Sequence, residues 1–257
     1  MNENLMKYYD LTGRVALITG GGSGIGKGCA EFLSMAGANV FIVGRRVSKL
    51  EDVAEEINAA GGDCRYISAD LTDEENCKAA VAECVAQFGR LDILVNSAGS
   101  RGAHGSLEDE LTVENLRETM SADFDSTFMM ICAAYKEMEK GGCGSIINIA
   151  SLAALAARGP IVYSAAKGAV KSMSRTLAKR MGPNGIRVNT IYPGFIVTEM
   201  TERIHTMPEK EEEMKADSPL HLLGEVSDIS LCALYLASDA ARFVTGGDFV
   251  IDGGATC

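Results

Sequence analysis

The chain has 257 residues, of which 47% are hydrophobic, with a formal net charge of −11 and a pI of about 4.8. This composition fills the core of one large α/β domain and excludes wholesale disorder, while the acidic surplus excludes nucleic acid or an anionic membrane as the main partner. The opening residues carry no apolar signal core, and no segment approaches ~18 apolar residues, so we expect a cytoplasmic protein that is neither exported nor membrane-inserted.

Short β-rich runs alternate with longer helical patterns along the chain. Several runs are continuously apolar, as in parallel strands covered on both faces. This alternation predicts a doubly wound parallel sheet in a single domain, residues 1–257. The predicted strands are 15–19, 40–43, 65–68, 93–96, 145–150, 187–192 and 249–251, and the predicted helices are about 24–36, 46–60, 73–88, 112–140, 160–182 and 226–238.

Residues 199–220 interrupt this rhythm. They include the charged run 209–213, yet apolar side chains are interleaved with the charges. Either this is a solvated surface helix, or it is a mobile lid with an apolar underside over a substrate pocket. The interleaved apolar residues are Met200, Ile204, Met207 and Met214.

A strand, a glycine turn and a helix start follow one another over residues 15–26. Gly20 permits a tight turn, Gly24 lets the backbone approach a pyrophosphate, and Gly26 lets the helix pack on the strand. The phosphates are expected at the helix N-terminus, near free backbone amides. The pattern therefore predicts a dinucleotide site.

The end of the second strand indicates which dinucleotide. An NAD-binding fold places a carboxylate here for the adenosine ribose, and Gly44 cannot supply one. Arg45 and Arg46 can instead pair with a 2′-phosphate, so we favour NADP(H) over NAD(H). The alternative is that both arginines are merely solvated, although helix N-termini disfavour cations.

Two further segments lie at the carboxyl ends of predicted strands, where open α/β sheets bind ligands. Asp70 and Leu71 follow the third strand and are expected to flank the adenine. Asn96, at the end of the fourth strand, begins the sequence NSAG, whose small residues allow close approach to a ribose.

A tyrosine and a lysine four residues apart form the candidate catalytic pair. On a helix, Tyr163 and Lys167 lie one turn apart on the same face. At about 4 Å and an effective dielectric constant of about 20, the ammonium stabilises the phenolate by roughly 4 kcal/mol, or about three pKa units. The phenol pKa of about 10 would then approach neutrality, where acid–base catalysis works best.

Together these motifs resemble the short-chain dehydrogenase/reductase family over about residues 11–254. The resemblance implies a Rossmann-like, doubly wound, parallel seven-stranded sheet flanked by helices. It also implies that Tyr163 exchanges a proton with the substrate oxygen, Lys167 lowers the tyrosine pKa and binds the nicotinamide ribose, and Ser151 holds the substrate oxygen. The motifs are TGGGSGIG at 19–26, NSAG at 96–99, Ser151, YSAAK at 163–167, PG at 193–194 with Thr198, and DGG at 252–254.

The resemblance adds the PGxxxT segment, which holds the nicotinamide carboxamide in that family, to the cofactor contacts expected from the residues above. The expected contacts are Gly20, Ser23, Gly24, Ile25, Gly26, Arg45, Arg46, Asp70, Leu71, Asn96, Ala98, Gly99, Tyr163, Lys167, Ile196 and Thr198.

The chain departs from the family pattern at Asp123, where an asparagine on the fourth helix is usual and a kink holds a water that links the lysine to solvent. A carboxylate still accepts hydrogen bonds, but it adds a negative charge that favours Lys167 as a cation. We therefore hypothesise that the proton relay survives with an altered pH profile. Ser97 in NSAG replaces a commoner asparagine, with little expected consequence.

The expected reaction is interconversion of a secondary alcohol and a ketone with NADP(H), without a metal. The expected pocket walls are small or apolar, which favours a bulky apolar substrate such as a hydroxysteroid or bile acid. A 3-oxoacyl-thioester reductase is the alternative, and a non-catalytic NADP(H)-binding regulator is a second one. The expected walls are Ala150, residues 152–156, Phe195 and the methionine-bearing segment 199–220.

The remaining features are weaker signals. Eight cysteines show no metal-ligand spacing, so we expect mostly buried free thiols, with Cys257 exposed. His104 follows the fourth strand near the site mouth and is expected either to contact substrate or to be an exposed loop residue. The resemblance also implies a homotetramer built on the fourth and fifth helices and the C-terminal strand.

Overall fold

A seven-stranded sheet forms the centre of the computed structural model, which describes residues 3–103, 105–156, 158–201 and 207–257. All neighbouring strands are parallel, in the order β3-β2-β1-β4-β5-β6-β7. The sequence predicted each of these strands, and the bounds of β1 and β4 are as predicted. The strands are β1 (Val15–Thr19), β2 (Asn39–Gly44), β3 (Cys64–Ser68), β4 (Ile93–Asn96), β5 (Gly144–Ile149), β6 (Ile186–Pro193) and β7 (Asp248–Ile251).

Helices cover both faces of the sheet. Strand side chains alternate between the faces, so Ala16 and Ile18 of β1 belong to one buried cluster and Val15 and Leu17 to the other. This double burial explains why β1, β2 and β4 are almost entirely apolar. The helices are α1 (Glu3–Met6), α2 (Gly24–Met35), α3 (Val47–Ala59), α4 (Glu74–Phe88), α5 (Leu107–Glu110), α6 (Val113–Met120), α7 (Ser126–Gly141), α8 (Ile161–Met181), α9 (Pro208–Asp217) and α10 (Val226–Ala237).

The two buried clusters assign the helices to their faces. Residues of α2, α3 and α10 pack on one face, and residues of α4, α7 and α8 pack on the other. The chain therefore crosses from one side of β1 to the other between β3 and β4. This crossing is the topological switch point, beside which open α/β sheets bind their ligands.

The predicted helix 112–140 is interrupted. A single π turn, Ser121–Asp125, separates α6 from α7. The side chain of Asp123 is fully buried within this turn. Isolated π turns of this kind often occur at functional sites, because the extra residue redirects a side chain.

In the segment 199–220, the described residues 199–201 and 207–220 include a helix but no buried helical residue. A 3₁₀ turn at Glu199–Thr201 begins it, and α9 exposes or half-exposes all of its side chains. Ion pairing between Arg158 and Asp217 ties the end of α9 to the loop before α8. Ile204 and His104 lie outside the described residues.

All eight cysteines are free thiols, and their burial departs in part from expectation. Cys257 is exposed as predicted, but Cys132 on the outer side of α7 and Cys143 in the turn before β5 are exposed as well. Burial raises the pKa of Cys29 to about 12. Within the described ranges, no helix is both long enough and apolar enough to cross a bilayer.

Candidate active site

A cleft of about 1250 Å³ opens along the carboxyl ends of the strands. It exceeds the ~300–1,000 Å³ typical of small-molecule pockets, as an extended ligand requires. Its walls contain every predicted catalytic residue and every predicted cofactor contact except Asn96. The predicted residues that line it are Gly20, Ser23, Gly24, Ile25, Gly26, Arg45, Arg46, Asp70, Leu71, Ala98, Gly99, Ser151, Tyr163, Lys167, Ile196 and Thr198.

Asn96 does not line the cleft. Its side chain is 3% exposed and donates a 2.8 Å hydrogen bond to the carboxamide oxygen of Asn148 on the neighbouring strand. Asn148 in turn donates to Ser174 of α8. As the last residue of β4, Asn96 therefore links the sheet to α8 through Asn148.

The glycine turn has the geometry that close backbone packing demands. Gly20 has a φ of +68°, a region that disfavours side chains, and a Cβ there would approach the backbone of Ala98. A Cβ on Gly26 would overlap the carbonyl oxygen of Gly20. The turn thus brings the start of α2 against the strand and directs its free amides into the cleft.

Charged side chains lie where β2 ends. Arg46 donates to the hydroxyl of Ser23 at 2.9 Å and pairs with Glu199 at 3.0 Å, and Lys49 pairs with the same carboxylate at 2.8 Å. Lys49 and Glu199 also line the cleft; the sequence did not point to Lys49, and Glu199 was expected only as part of the wall segment 199–220. The signal for Lys49 was its position one turn after Arg46 on α3.

Asp70 has a local partner. Its carboxylate accepts hydrogen bonds from the backbone amide and the hydroxyl of Thr72, which hold the pKa of Asp70 below its usual value. Arg45 adds a smaller favourable charge. Asp70 is therefore ionised at neutral pH, and its bonds to Thr72 fix the turn after β3 that contains Leu71.

The catalytic candidates lie just after β5 and on α8. Ser151 follows β5, and its hydroxyl accepts a 3.2 Å hydrogen bond from the amide of Ala153. Tyr163 and Lys167 share one face of α8, with the lysine Nζ 5.5 Å from the centre of the tyrosine ring. Lys167 is 5% exposed and donates to the carbonyl of Ile149 at 3.3 Å. Both members of the predicted pair thus line the cleft.

Asp123 contacts the lysine directly. Its carboxylate lies 3.0 Å from the Nζ of Lys167 and accepts from the amide of Ser100 at 3.3 Å. A side chain at Gly99 would overlap this carboxylate. Burial lowers the pKa of Lys167, but attraction by Asp123 and Tyr163 exceeds that effect, so the pKa is raised overall. The sequence predicted that Asp123 adds a negative charge near Lys167, and in the structure the two side chains form a buried ion pair.

The segment after β6 completes the cleft. Ile196 is 5% exposed, and the amide of Thr198 donates to the hydroxyl of Thr201 at 2.9 Å, which fixes the turn. Ala150 and Met200 line the cleft as predicted, whereas residues 152–156 and Phe195 do not. Among the residues that the structure describes, no group of three or more His, Cys, Asp or Glu side chains is arranged to hold a metal ion.

Comparison with known proteins identifies relatives along the whole chain. Residues 20–256 match a family described as enoyl-(acyl carrier protein) reductase. The chain is 39% identical over 245 residues to 2,5-dichloro-2,5-cyclohexadiene-1,4-diol dehydrogenase LinX of Sphingobium indicum, covering 95% of this chain and 96% of the relative. It is 37% identical over 252 residues to galactitol 2-dehydrogenase of Cereibacter sphaeroides, covering 96% and 97%.

Solved structures agree with this. A short-chain type dehydrogenase/reductase from Mycobacterium ulcerans superposes with a TM-score of 0.91 at 37% identity, covering 96% of this chain and 91% of that one. A 7α-hydroxysteroid dehydrogenase complexed with NADH and 7-oxo glycochenodeoxycholic acid superposes with a TM-score of 0.92 at 32% identity, covering 99% and 98%.

Proposed function

The chain belongs to the short-chain dehydrogenase/reductase family, and from this premise we propose that it is an NADP(H)-dependent enzyme interconverting a secondary alcohol and a ketone. The observation that carries the proposal is that Ser151, Tyr163 and Lys167 share one cleft with the glycine turn and Arg46. Ser151 follows β5 and Arg46 follows β2, three strand spacings apart in the sheet. At about 4.8 Å per spacing they are roughly 14 Å apart, a span suited to a dinucleotide.

The walls of the cleft suit each part of NADP(H). The amides at the start of α2 would hold the pyrophosphate, Lys167 the nicotinamide ribose, and Thr198 with the backbone of Ile196 the carboxamide. When bound, the nicotinamide supplies or accepts the hydride. The remaining chemistry is proton transfer and orientation by the protein.

Ser151 would hold the substrate oxygen while Tyr163 exchanges a proton with it. In alcohol oxidation the phenolate of Tyr163 accepts the hydroxyl proton, and in ketone reduction the phenol donates it. The ammonium of Lys167 stabilises the phenolate, and Asp123 keeps that ammonium charged in its buried position. Orientation by the Ser151 hydroxyl supplies the alignment that hydride transfer needs.

The preference for NADP(H) rests on the end of β2. The hydroxysteroid dehydrogenase was crystallised with NADH, so membership of the family does not determine the choice. In this chain Arg46, already hydrogen-bonded to Ser23, offers a guanidinium to a 2′-phosphate. We expect Arg46→Ala to lower kcat/KM for NADPH relative to NADH about tenfold or more, since a hydrogen bond to a charged group is lost. Arg242→Ala, which removes an exposed arginine elsewhere, should leave the ratio unchanged.

The substrate we propose is a secondary alcohol on a ring, with a hydroxysteroid or bile acid as the leading case. Ala150, Pro193, Gly194 and Met200 line the cleft and are uncharged, which suits an apolar ring, whereas the charged Arg117 and Glu118 line it from α6. A ring-borne alcohol is also the substrate named for two of the similar proteins. A 3-oxoacyl thioester is the second candidate, since the matching family is described by an acyl-carrier-protein reaction.

The test is the absorbance change at 340 nm with NADPH and, separately, NADH, against oxo-steroids, alicyclic ketones, 3-oxoacyl thioesters and keto-sugars. NADPH-dependent turnover of ring ketones, lost about 10²-fold or more in Tyr163→Phe, supports the proposal. Turnover of acyl thioesters alone would show that the proposed substrate class is wrong. A preference for NADH would show that the proposed cofactor is wrong. Binding of NADPH without turnover of any compound would favour a regulatory protein.

We also propose that the protein is a cytoplasmic homotetramer assembled through α7, α8 and β7. Apolar side chains are exposed on each of these elements, at Phe128, Ile161 and Val250. Light scattering should give a mass about four times the 27.2 kDa of the chain. A monomeric mass would dismiss the assembly.

A further inference from the structure

One carboxylate lies between the cations at the end of β2. Glu199 pairs with Arg46 at 3.0 Å and with Lys49 at 2.8 Å, one oxygen to each. Arg46 uses the same Nη2 to reach the hydroxyl of Ser23 at 2.9 Å. These contacts join the glycine turn, the start of α3 and the 3₁₀ turn after β6 across the cleft.

The arrangement is specific to the cleft rather than a general property of the surface. The two pairs connect residues 153 and 150 positions apart in the chain, whereas many other ion pairs lie within one helix. All four side chains line the same cleft. Hydrogen bonds from Lys49 and Arg46 hold the pKa of Glu199 below its usual value, so the carboxylate is charged at neutral pH.

We propose that Glu199 occupies the 2′-phosphate subsite formed by Arg46, Lys49 and Ser23, and that it thereby sets the discrimination between NADPH and NADH. This inference rests on the proposed function. It adds Lys49 as a phosphate-binding residue and Glu199 as a specificity-determining one.

Competition follows from the charges. A 2′-phosphate brings about two negative charges at pH 7, and it needs the donors that Glu199 now accepts. Because two like charges cannot share the same donors at close range without repulsion, the carboxylate must leave when the phosphate binds. NADH brings no such phosphate, so Glu199 stays in place and neutralises both cations. The carboxylate therefore weakens NADPH binding and leaves NADH binding unchanged.

The test is equilibrium binding of two fragments, adenosine 2′,5′-bisphosphate and 5′-AMP, by calorimetry. Calorimetry suits this chain because it contains no tryptophan to report binding by fluorescence. Glu199→Gln should bind the bisphosphate about five- to tenfold more tightly than wild type, the ratio expected when two exposed ion pairs no longer compete. Its affinity for 5′-AMP should not change.

Glu56→Gln is the matched control. Glu56 is an exposed glutamate of α3 paired with Lys27, so the variant loses the same charge away from the cleft. It should bind both fragments as wild type does. The same preference should appear in turnover, as a higher ratio of kcat/KM for NADPH to that for NADH in Glu199→Gln alone.

Arg46→Ala separates failure of this inference from failure of the proposed function. If Arg46→Ala weakens the bisphosphate but Glu199→Gln has unchanged or weaker affinity, the subsite is correct and the role given to Glu199 is wrong. If Arg46→Ala leaves the bisphosphate unaffected, the subsite itself is wrong and the preference for NADP(H) falls with it. Circular dichroism of each variant checks that the fold is retained.

Discussion

Replacing Asp123 by Asn removes one buried negative charge from beside Lys167 and leaves the shape of the side chain almost unchanged. In wild type, the carboxylate opposes the effect of the ammonium on Tyr163, because a phenolate is attracted by one and repelled by the other. The amide oxygen of the variant still accepts a hydrogen bond, and the Ile149 carbonyl still accepts from Lys167. The ammonium therefore keeps its charge while the repulsion disappears.

The size of the effect follows from two distances. Lys167 Nζ lies 5.5 Å from the Tyr163 ring centre and 3.0 Å from Asp123 Oδ1, so the carboxylate is at most about 8.5 Å, their sum, from the ring. At an effective dielectric constant of about 20, the ammonium attracts a phenolate by about 3 kcal/mol, and the carboxylate repels it by at least about 2 kcal/mol. Removing that repulsion corresponds to a shift of at least about 1.5 pH units.

The assay is the pH dependence of kcat/KM for alcohol oxidation, which rises as the base form of the site appears. We expect the half-maximal point for Asp123→Asn to move about 1.5 pH units toward acid. Asp125→Asn is the control, since Asp125 is an exposed carboxylate of the same π turn. Its profile should overlay that of wild type.

Either of two results would refute this reasoning. A profile that matches wild type would mean that Asp123 does not act on the phenolate through Lys167. A shift toward alkaline pH would mean that the lysine loses its proton when its counter-ion is removed. Thermal unfolding and NADPH binding of the variant distinguish both results from a general loss of structure.

Three further outcomes concern stability and reactivity. Gly26→Ala should destabilise the fold by about 1–3 kcal/mol, because the new Cβ overlaps the Gly20 carbonyl. The control Gly141→Ala should not destabilise the fold, because its Cβ would meet open space. Equal melting temperatures for the two variants would contradict the prediction. Asp123→Asn should lower the free energy of unfolding by about 3 kcal/mol at neutral pH, since a buried ammonium loses its counter-ion. The pKa of Lys167 is raised in the folded protein, so wild type should keep its full advantage in unfolding free energy below about pH 10.4. That advantage should disappear only as the pH rises through the pKa of Lys167 in the folded protein. Denaturant titration at several pH values measures it. A thiol reagent at pH 8 should modify the exposed cysteines before the buried ones, and rapid modification of Cys29 would contradict the burial pattern. The exposed cysteines are Cys132, Cys143 and Cys257.

The sequence predicted the elements whose local pattern reflects burial on both faces. β1 and β4 are continuous apolar runs, and their observed bounds are the predicted ones. The predicted helix 112–140 is interrupted by a π turn that contains Asp123, the position where the family resemblance implied a kink, whereas the ion pair of Asp123 with Lys167 is a long-range contact that no local pattern contains. The short helix α5 was missed, although its capping box of Ser106 and Asp109 was a readable signal.

The site residues also differ in whether local sequence could predict them. The glycine turn could be predicted because each glycine satisfies a backbone requirement that is visible in the sequence, and the tyrosine–lysine pair because helical spacing fixes its geometry. The ion pairs of Glu199 could not be predicted, because its partners Arg46 and Lys49 lie about 150 residues away and only the fold brings them together. The side chain of Asn96 is buried and bonded to Asn148, a pairing between neighbouring strands that the sequence alone does not display.

The net charge of −11 poses a problem for a protein proposed to bind an anionic dinucleotide, and the cleft supplies an answer. Cations that the cofactor would use are held by carboxylates of the chain, Lys167 by Asp123 and Arg46 with Lys49 by Glu199. The two pairs differ in burial: Asp123 is fully buried, whereas Glu199 is 45% exposed. A buried carboxylate cannot readily leave, so Asp123 is a permanent part of the relay, while the exposed one can be exchanged for a phosphate at low cost. With the proposed subsite, cofactor binding at the adenosine end would exchange one anion for another. Its strength depends on how well phosphate competes with carboxylate for the same donors, and the overall charge of the chain does not decide it.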